Sequence, residues 1–396
     1  MKKIIYLDHA ATTPLDPEVL DVMQPFFREN FANASSIHQK GVLARRKLEE
    51  AREQVAEIFN CLPKEIIFTS GPTENDDLFL RGVSEVIGKG KILTSRIEHH
   101  SVLDTIKYLG NKKGFLATKL FQVGFLPVDK YGKLKLDILE EELNRKTIIF
   151  SLMYANNEIG TIQDIRKISE LIKKKSPSTY FYVDAVQAAG VLSLDVKKLG
   201  VDGMSIGGHK FYGPKGSGVL FLKKGIDIQP QVIGGGQERG LRGSTENVPG
   251  IIGLAFALKK AYKNAEKENK RLIELRDYLI KKIQDEISDT RLNGHPEDRL
   301  PNNVNISFDR VEGEAVLLSL DKEGICVSTG SACSSESLEP SHVIGACSLD
   351  EEGEEDTMAH GSVRFTLGKS TNKEDLDFTV QILKKVIEKL RSISPV

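Results

Sequence analysis

The feature that most constrains this chain is a succession of short apolar runs without strict alternation: Ile66-Ile-Phe-Thr69, Ile92-Leu-Thr-Ser95, Ile148-Ile-Phe-Ser151, Phe181-Tyr-Val183, Met204-Ser-Ile206 and Val219-Leu-Phe-Leu222. Helical patterns separate several of them, Ile165 to Lys175 being one. Strands that are apolar on both faces need cover on both, and intervening helices provide it. The pattern therefore predicts an α/β fold with a mostly parallel sheet. In such sheets ligands lie beyond the carboxyl ends of the strands. The segments that follow the runs are polar: Ser70-Gly-Pro-Thr-Glu74, Glu98-His-His100, Asn156-Asn-Glu158, Asp184-Ala-Val-Gln187 and Gly208-His-Lys210. Their repetition at strand ends points to a site on one rim.

Upstream, Asp16 to about Glu29 reads as a first helix, and Leu48, Ala51, Val55 and Ile58 share one face of a long second one. Downstream, a helical pattern from about Pro249 to Ile287 leads to a second lobe. There Val304 to Phe308 alternates like a strand, Glu314 to Leu320 is helical, and Val363 to Leu367 is a strand. The capping box Thr371-x-x-Glu374 opens a last helix carrying Leu376, Val380, Leu383, Ile387 and Leu390. We expect a large domain over 16–258 and a smaller α+β domain from 1–15 and 259–396.

A net charge of −1 over 396 residues gives no electrostatic footprint for nucleic acid or an anionic membrane. No apolar run is long enough to span a bilayer, and the first residues do not read as a signal peptide, so a cytoplasmic location is expected. The four cysteines, Cys61, Cys326, Cys333 and Cys347, are too few for a disulfide scaffold and lack paired zinc spacing, so no metal site is expected. Cys333 stands apart. It lies in Ser328-Thr-Gly-Ser-Ala-Cys-Ser-Ser335, a run of small polar residues with no core pattern, where a thiol is accessible. The acidic run 350–356 reads as a solvated loop, with a docking patch for a basic partner as the alternative.

Lys210 follows a buried strand and two glycines, Gly207 and Gly208. Partial burial frees a lysine amine for Schiff-base chemistry. An aldehyde cofactor such as pyridoxal phosphate would need a carboxylate for its ring nitrogen, a group over the ring and a phosphate cradle. The rim offers each. Together with Leu7-Asp-x-Ala-Ala-Thr-Thr13, Thr69-Ser-Gly-x-Thr-Glu74, Asn156-Asn-Glu-Ile-Gly160, Val183-Asp-Ala-x-Gln187, Gly235-Gly-Gln-Glu-Arg-Gly240, Ser331-Ala-Cys333 and Val363-Arg-Phe365, the rim residues give the chain its likeness. It resembles the cysteine desulfurases of the NifS/IscS type, class V aminotransferases of fold-type I, over almost its whole length.

The resemblance implies pyridoxal 5′-phosphate as cofactor and assigns roles. Lys210 matches the Schiff-base lysine, Asp184 the carboxylate at the pyridine nitrogen, and His99 the imidazole over the ring. Asn157 and Gln187 match residues around the phenolic oxygen and the substrate. Gly71, Pro72 and Thr73 form the phosphate turn at a helix N-terminus, with Gly207 and His209 beside it and Thr245 reaching in from a partner subunit. Arg364, with Asn33, matches the clamp on the substrate carboxylate. Cys333, on a mobile loop of about 328–338, matches the sulfur acceptor and could transiently ligate an Fe–S cluster through its persulfide. The implied reaction converts L-cysteine to L-alanine and an enzyme persulfide. Its implied partners are a second copy of the chain and an Fe–S scaffold protein of the IscU/NifU kind or another sulfur acceptor, such as the tRNA thiolation machinery. No membrane partner and no direct nucleic-acid binding are expected.

The chain departs from the family pattern in several places. Gly207 stands where Ser is usual, removing a hydroxyl contact to a charged phosphate worth roughly 1.5–3 kcal/mol. Pro72 replaces the usual Ala, Ala34 replaces a common Pro after Asn33, and the acidic stretch near Cys347 reads as an insertion. The chain ends at Val396, before the longer tail by which bacterial housekeeping members dock scaffolds. The alternatives weighed are a selenocysteine lyase or other class V enzyme, and a low-activity paralogue acting as a binding scaffold.

Overall fold

In the computed structural model, residues 3–114, 119–329, 341–348 and 358–393 are described. A short strand β1 (Ile5–Tyr6) precedes a run of strands in the first half of the chain: β2 (Ile66–Thr69), β3 (Gly90–Ser95), β4 (Phe121–Leu126), β5 (Thr147–Met153), β6 (Tyr180–Asp184), β7 (Gly203–Gly207) and β8 (Gly218–Leu222). These seven form one sheet in the order β2-β8-β7-β6-β5-β3-β4. Only β8 runs against its neighbours, pairing antiparallel with β2 and β7, while the other pairings are parallel. The carboxyl ends of β2, β3, β5, β6 and β7 therefore share one rim. Buried clusters on both faces include Phe150, Val183, Ile206 and Leu254 on one and Phe79, Ile92, Tyr182 and Leu220 on the other.

A helix at Val248–Glu286 leaves the first of these clusters through Leu254 and Leu258 and enters another through Leu272, Leu279 and Ile283. The latter core is built on an antiparallel sheet, β12 (Ser362–Thr366) beside β10 (Asn303–Phe308) beside β9 (Thr290–Leu292). β11 (Ile325–Cys326) pairs with β1, so the start of the chain packs here through Ile5 and Leu7.

Several sequence expectations shift by a physical detail. The first helix divides at Gln24 into Pro17–Met23 and Pro25–Arg28, since Pro25 cannot continue the hydrogen-bond ladder. Phe121–Leu126, absent from the sequence reading, is an edge strand whose Gly124 lies under Leu93; a Cβ there would sit 2.7 Å from Leu93 Cδ2. The last helix runs Lys373–Ile393. Its cap is Asn372, which accepts from Asp375 N at 2.9 Å, whereas Thr371 Oγ1 accepts from Gly368 N at 2.9 Å. The capping box assigned to Thr371 is thus displaced by one residue. β10 alternates in sequence yet is buried throughout. Its polar side packs on protein: Asn303 and Asn305 both donate to Glu158 O at 3.2 Å, and Asn293 donates to Asn305 Oδ1 and Ser307 Oγ at 2.8 Å.

Candidate active site at the sheet rim

β7 ends at Gly207 and a single turn, Gly208–Lys210, carries the next two side chains out of the sheet. Lys210 Nζ donates to the carbonyls of Ala10 and Ala11, the latter at 2.8 Å. Gln187 donates to Ala10 O at 3.0 Å, so the motif near the amino terminus lies across the mouth of β6 and β7. His209 Nδ1 lies 3.2 Å from Thr12 Oγ1. Burial, then the nearby Lys210 and Lys215, pushes the His209 imidazole down to about 4, so it is neutral at pH 7.

Asp184 ends β6 and accepts from Val186 N at 2.9 Å. Burial raises its carboxyl to about 6, opposed by that N–H and by Lys210. Asp76, on the Pro72–Ile87 helix, is fully buried nearby; burial and the charge of Asp184 push it to about 8. Glu98, also fully buried, rises by burial to about 8. These buried carboxyls, of which Asp184 ionises most readily, form an acidic floor to the site, and a cation above it would stabilise the carboxylate.

His99 caps the His100–Asn111 helix, Nδ1 accepting from Ser101 N at 3.1 Å and lying 2.8 Å from Ser101 Oγ. Burial, Lys210 and His100 lower its pKa. Asn156 braces the next loop: its Oδ1 accepts from Glu158 N at 2.8 Å and Ile159 N at 3.0 Å. That loop presents Asn157, whose carbonyl accepts from Arg364 Nη1 at 3.0 Å. Arg364 comes from β12, so the smaller sheet delivers its guanidinium to the larger sheet's rim. Nη2 donates to Asp8 Oδ1 at 2.8 Å, while Nε is buried without a hydrogen-bond partner among the described residues.

At the phosphate turn, Gly71 precedes the Pro72–Ile87 helix with no side-chain cap. A Cβ on Gly71 or Gly216 would meet nothing within 4 Å, leaving open room beside the helix start. The two departures at Gly207 and Pro72 are one packing exchange: a Cβ on Gly207 would fall 2.5 Å from Pro72 Cγ. The proline ring occupies the space of the usual serine side chain. Thr245 is exposed and lines a cavity of about 230 Å³ with Thr69, Ser70 and Gly216 of its own chain. Its loop is anchored by Arg242, which donates to Glu74 Oε1 at 2.8 Å, and by Glu238, paired with buried Arg52. Asn33 is exposed in the loop before the Gln39–Phe59 helix, where Oδ1 accepts from Ser35 N at 2.8 Å.

Lys210, Gln187, Asp184, His99, Asn157 and Arg364 thus gather at the rim, with Gly71, Pro72, Thr73, Gly207 and His209 alongside. Asn33 and Thr245 sit on exposed loops. Cys333 and the acidic run 350–356 lie outside the described residues. Sequence reasoning passed over Asp8, Thr12, Asp76 and Ser101. Asp8 and Thr12 stood inside a quoted motif, and Asp76 lies one helical turn beyond Pro72, on the buried face of the same helix. Cys347 is half-buried and its thiol is pushed up to about 12 by burial, Asp129 and Glu158, which keeps it protonated and a poor sulfur relay.

The residues present fit pyridoxal phosphate. A buried acid floor suits a protonated ring nitrogen, an amine stands beside it, and a glycine-lined helix start and a guanidinium N–H without a partner among the described residues suit phosphate and carboxylate.

Comparisons with known proteins agree. A family model described as aminotransferase class-V matches residues 5–378. The cysteine desulfurase IscS of Dictyoglomus turgidum is 50% identical over 397 residues, covering 100% of this chain and 97% of the relative. The cysteine desulfurase IscS of Methanosarcina thermophila is 46% identical, covering 99% of this chain and 94% of the relative. A solved structure titled NifS-like protein superposes with a TM-score of 0.89 at 36% identity, covering 98% of this chain and 100% of the other.

Proposed function

Because the chain belongs to the aminotransferase class-V family, whose members work with pyridoxal 5′-phosphate, we propose that it takes sulfur from L-cysteine, releasing L-alanine and leaving a persulfide on its own Cys333. The observation that carries this reading is the convergence of Lys210, Asp184, His99 and Arg364 on one rim, in a chain that matches cysteine desulfurases from end to end. Neither a selenocysteine lyase or other class V enzyme nor a low-activity paralogue acting as a binding scaffold is favoured by any particular observation.

When bound, the cofactor supplies an electron sink conjugated to the substrate's Cα. Lys210 is the amine that would hold the cofactor's aldehyde group and, once released, can carry the proton taken from the substrate's Cα. Asp184 would hold the cofactor's ring nitrogen, whose positive charge would favour the ionised carboxylate. Arg364 receives the substrate carboxylate with the N–H groups not engaged by Asp8 and Asn157, assisted by Asn33. His99 would lie against the cofactor and exchange a proton with the substrate. Gln187 and Asn157 would hold the cofactor and substrate beside it, and Gly71, Pro72, Thr73, Gly207 and His209 would hold the phosphate. The Cys333 thiolate attacks the substrate sulfur: an S–S bond forms, the C–S bond breaks, and its electron pair stays with the carbon, which takes up protons to become alanine.

Thr245 completes the phosphate site of a second copy, so the working unit is a homodimer. The rim belongs to a large domain over 16–258, and 1–15 with 259–396 form the domain carrying the Cys333 loop. The protein is cytoplasmic and passes its persulfide to an Fe–S scaffold or the tRNA thiolation machinery; no helix among the described residues is long and apolar enough to cross a membrane.

The test is to incubate the purified, cofactor-loaded protein with L-cysteine and quantify alanine and persulfide. Lys210→Ala should abolish both, and Cys333→Ala should abolish persulfide. Alanine formation that survives both replacements overturns the mechanism.

A further inference from the structure

The chemistry above leaves the fully buried carboxyl of Asp76 unused. Asp76 has a hydroxyl against each oxygen: Tyr182 Oη, from β6, lies 2.6 Å from Oδ1, and Ser101 Oγ lies 2.6 Å from Oδ2. Ser101 Oγ is also 2.8 Å from His99 Nδ1, and the Ser101 backbone N–H points at the same nitrogen from 3.1 Å.

Counting protons assigns the donors. A backbone N–H can only donate, so Nδ1 is an acceptor and the neutral ring carries its hydrogen on Nε2. The contact between Nδ1 and Ser101 Oγ then uses the single hydroxyl proton of Ser101. The contact between that oxygen and Asp76 Oδ2 therefore needs a proton on Asp76, while Oδ1 accepts from Tyr182. An ionised Asp76 would draw the serine proton to itself and leave Nδ1 and Oγ facing each other as two acceptors.

The surroundings act in the same direction. Burial, Asp184 and Asp77 all favour the neutral acid at Asp76, and only the neighbouring Ser101 and Tyr182 hydroxyls act the other way. Around His99, burial, Lys210 and His100 disfavour the imidazolium, and only Asp104 opposes them.

We propose that Asp76 is a positioning residue: a neutral acid that donates to Ser101 Oγ, leaving the serine hydroxyl proton for His99 Nδ1, where it joins the backbone N–H in holding the ring with its hydrogen on Nε2. The inference rests on the reading that sets His99 against the cofactor. It also gives Asp76 a second consequence, since a proton held there leaves Asp184 as the ionised member of the pair, available to the ring nitrogen.

Two spectroscopic readouts on the cofactor-loaded enzyme test it. In protein labelled with 15N-histidine, with the His99 signals identified by their loss in His99→Gln, wild type should show an unprotonated Nδ1 and a protonated Nε2. Asp76→Asn should keep that pattern, because its amide donates to Ser101 Oγ as the acid does. Ser101→Ala keeps the backbone N–H on Nδ1 but removes the hydroxyl donor, so the His99 Nδ1 resonance should move and the pH midpoint of the bound cofactor's visible absorption should shift by about one unit, as expected when a buried group near the ring changes its hydrogen bonding. The infrared difference between wild type and Asp76→Asn should contain the carbonyl band of a protonated carboxyl. A carboxylate band in its place, a hydrogen on His99 Nδ1 in wild type, or a Ser101→Ala protein identical to wild type in both readouts would overturn the proposal. None of these measurements depends on alanine formation, so the relay and the desulfurase reading fail separately.

Discussion

At the β2 edge of the large sheet, Arg52 and Glu238 meet through two hydrogen bonds of 2.7 and 2.9 Å, with both side chains buried. Near the middle of the same sheet, Asp184 and Asp76 are buried as well, but both are acids. The first pair is electrically complete. Arg52 Nη1 also reaches Ile66 O at 2.9 Å, and Glu238 Oε2 accepts from Phe68 N at 3.1 Å, tying the glycine-rich loop to the sheet edge. The second pair is incomplete, both carboxyls raised in pKa by burial and Asp76 further by the charge of Asp184, and it gains from a cation arriving from outside the chain. Burial thus does opposite work in the two places: it locks a loop at the edge and leaves an unmet charge requirement at the centre, where a ligand can supply it.

The largest expected effect comes from breaking the complete pair. Arg52→Ala strands a buried carboxylate at Glu238 and should lower stability by about 3–5 kcal/mol, read as a fall in the denaturation midpoint; a loss below 1 kcal/mol would show that water reaches Glu238. The reverse sign is expected at the centre. Asp184 keeps its proton more tightly in the folded chain, up to about 6 against 3.8 in the unfolded one. Its stabilising contribution is therefore present below pH 3.8 and is lost as pH rises through about 6. In cofactor-free protein at pH 8, Asp184→Asn should thus raise stability by about 3 kcal/mol relative to wild type, while near pH 4 the two should converge. The same variant should hold the cofactor more weakly. Melting temperatures of the cofactor-free proteins across this pH range, together with cofactor titrations, check both halves. The smallest effect concerns the cradle between the two regions. Gly207→Ser drives a side chain into the Pro72 ring and should cost about 1–3 kcal/mol. Adding Pro72→Ala should recover that loss and tighten phosphate binding; a double variant no better than the single one would show that the two positions are independent.

Much of the site was legible in advance because strands end where polar residues begin. Lys210, Asp184, His99 and Asn157 each follow a buried strand, and in a parallel sheet strand order does not alter which rim they reach. Arg364 was legible through its motif alone. Its apolar strand belongs to another sheet, and nothing local announces that β10 and β12 press against the Asn156–Gly160 loop. The errors share a cause. Thr371 and Asn372 are both able caps, and the choice between them was made by Gly368, whose N–H occupies the threonine hydroxyl. Gly124 reads as a strand breaker until Leu93 is seen to fill the space where its side chain would be.

Order along the chain set the α/β architecture, the bridging helix and the chemical types at the rim, because periodicity and strand-end polarity are properties of neighbours in sequence. Packing in three dimensions settled that Gly207 and Pro72 compensate each other, that Asp8 shares Arg364 with Asn157, and that Asp76 stands behind Ser101 and His99. Those relations join residues from different elements across distances of a few ångströms, and such distances are fixed by how helices and sheets pack rather than by the order of residues.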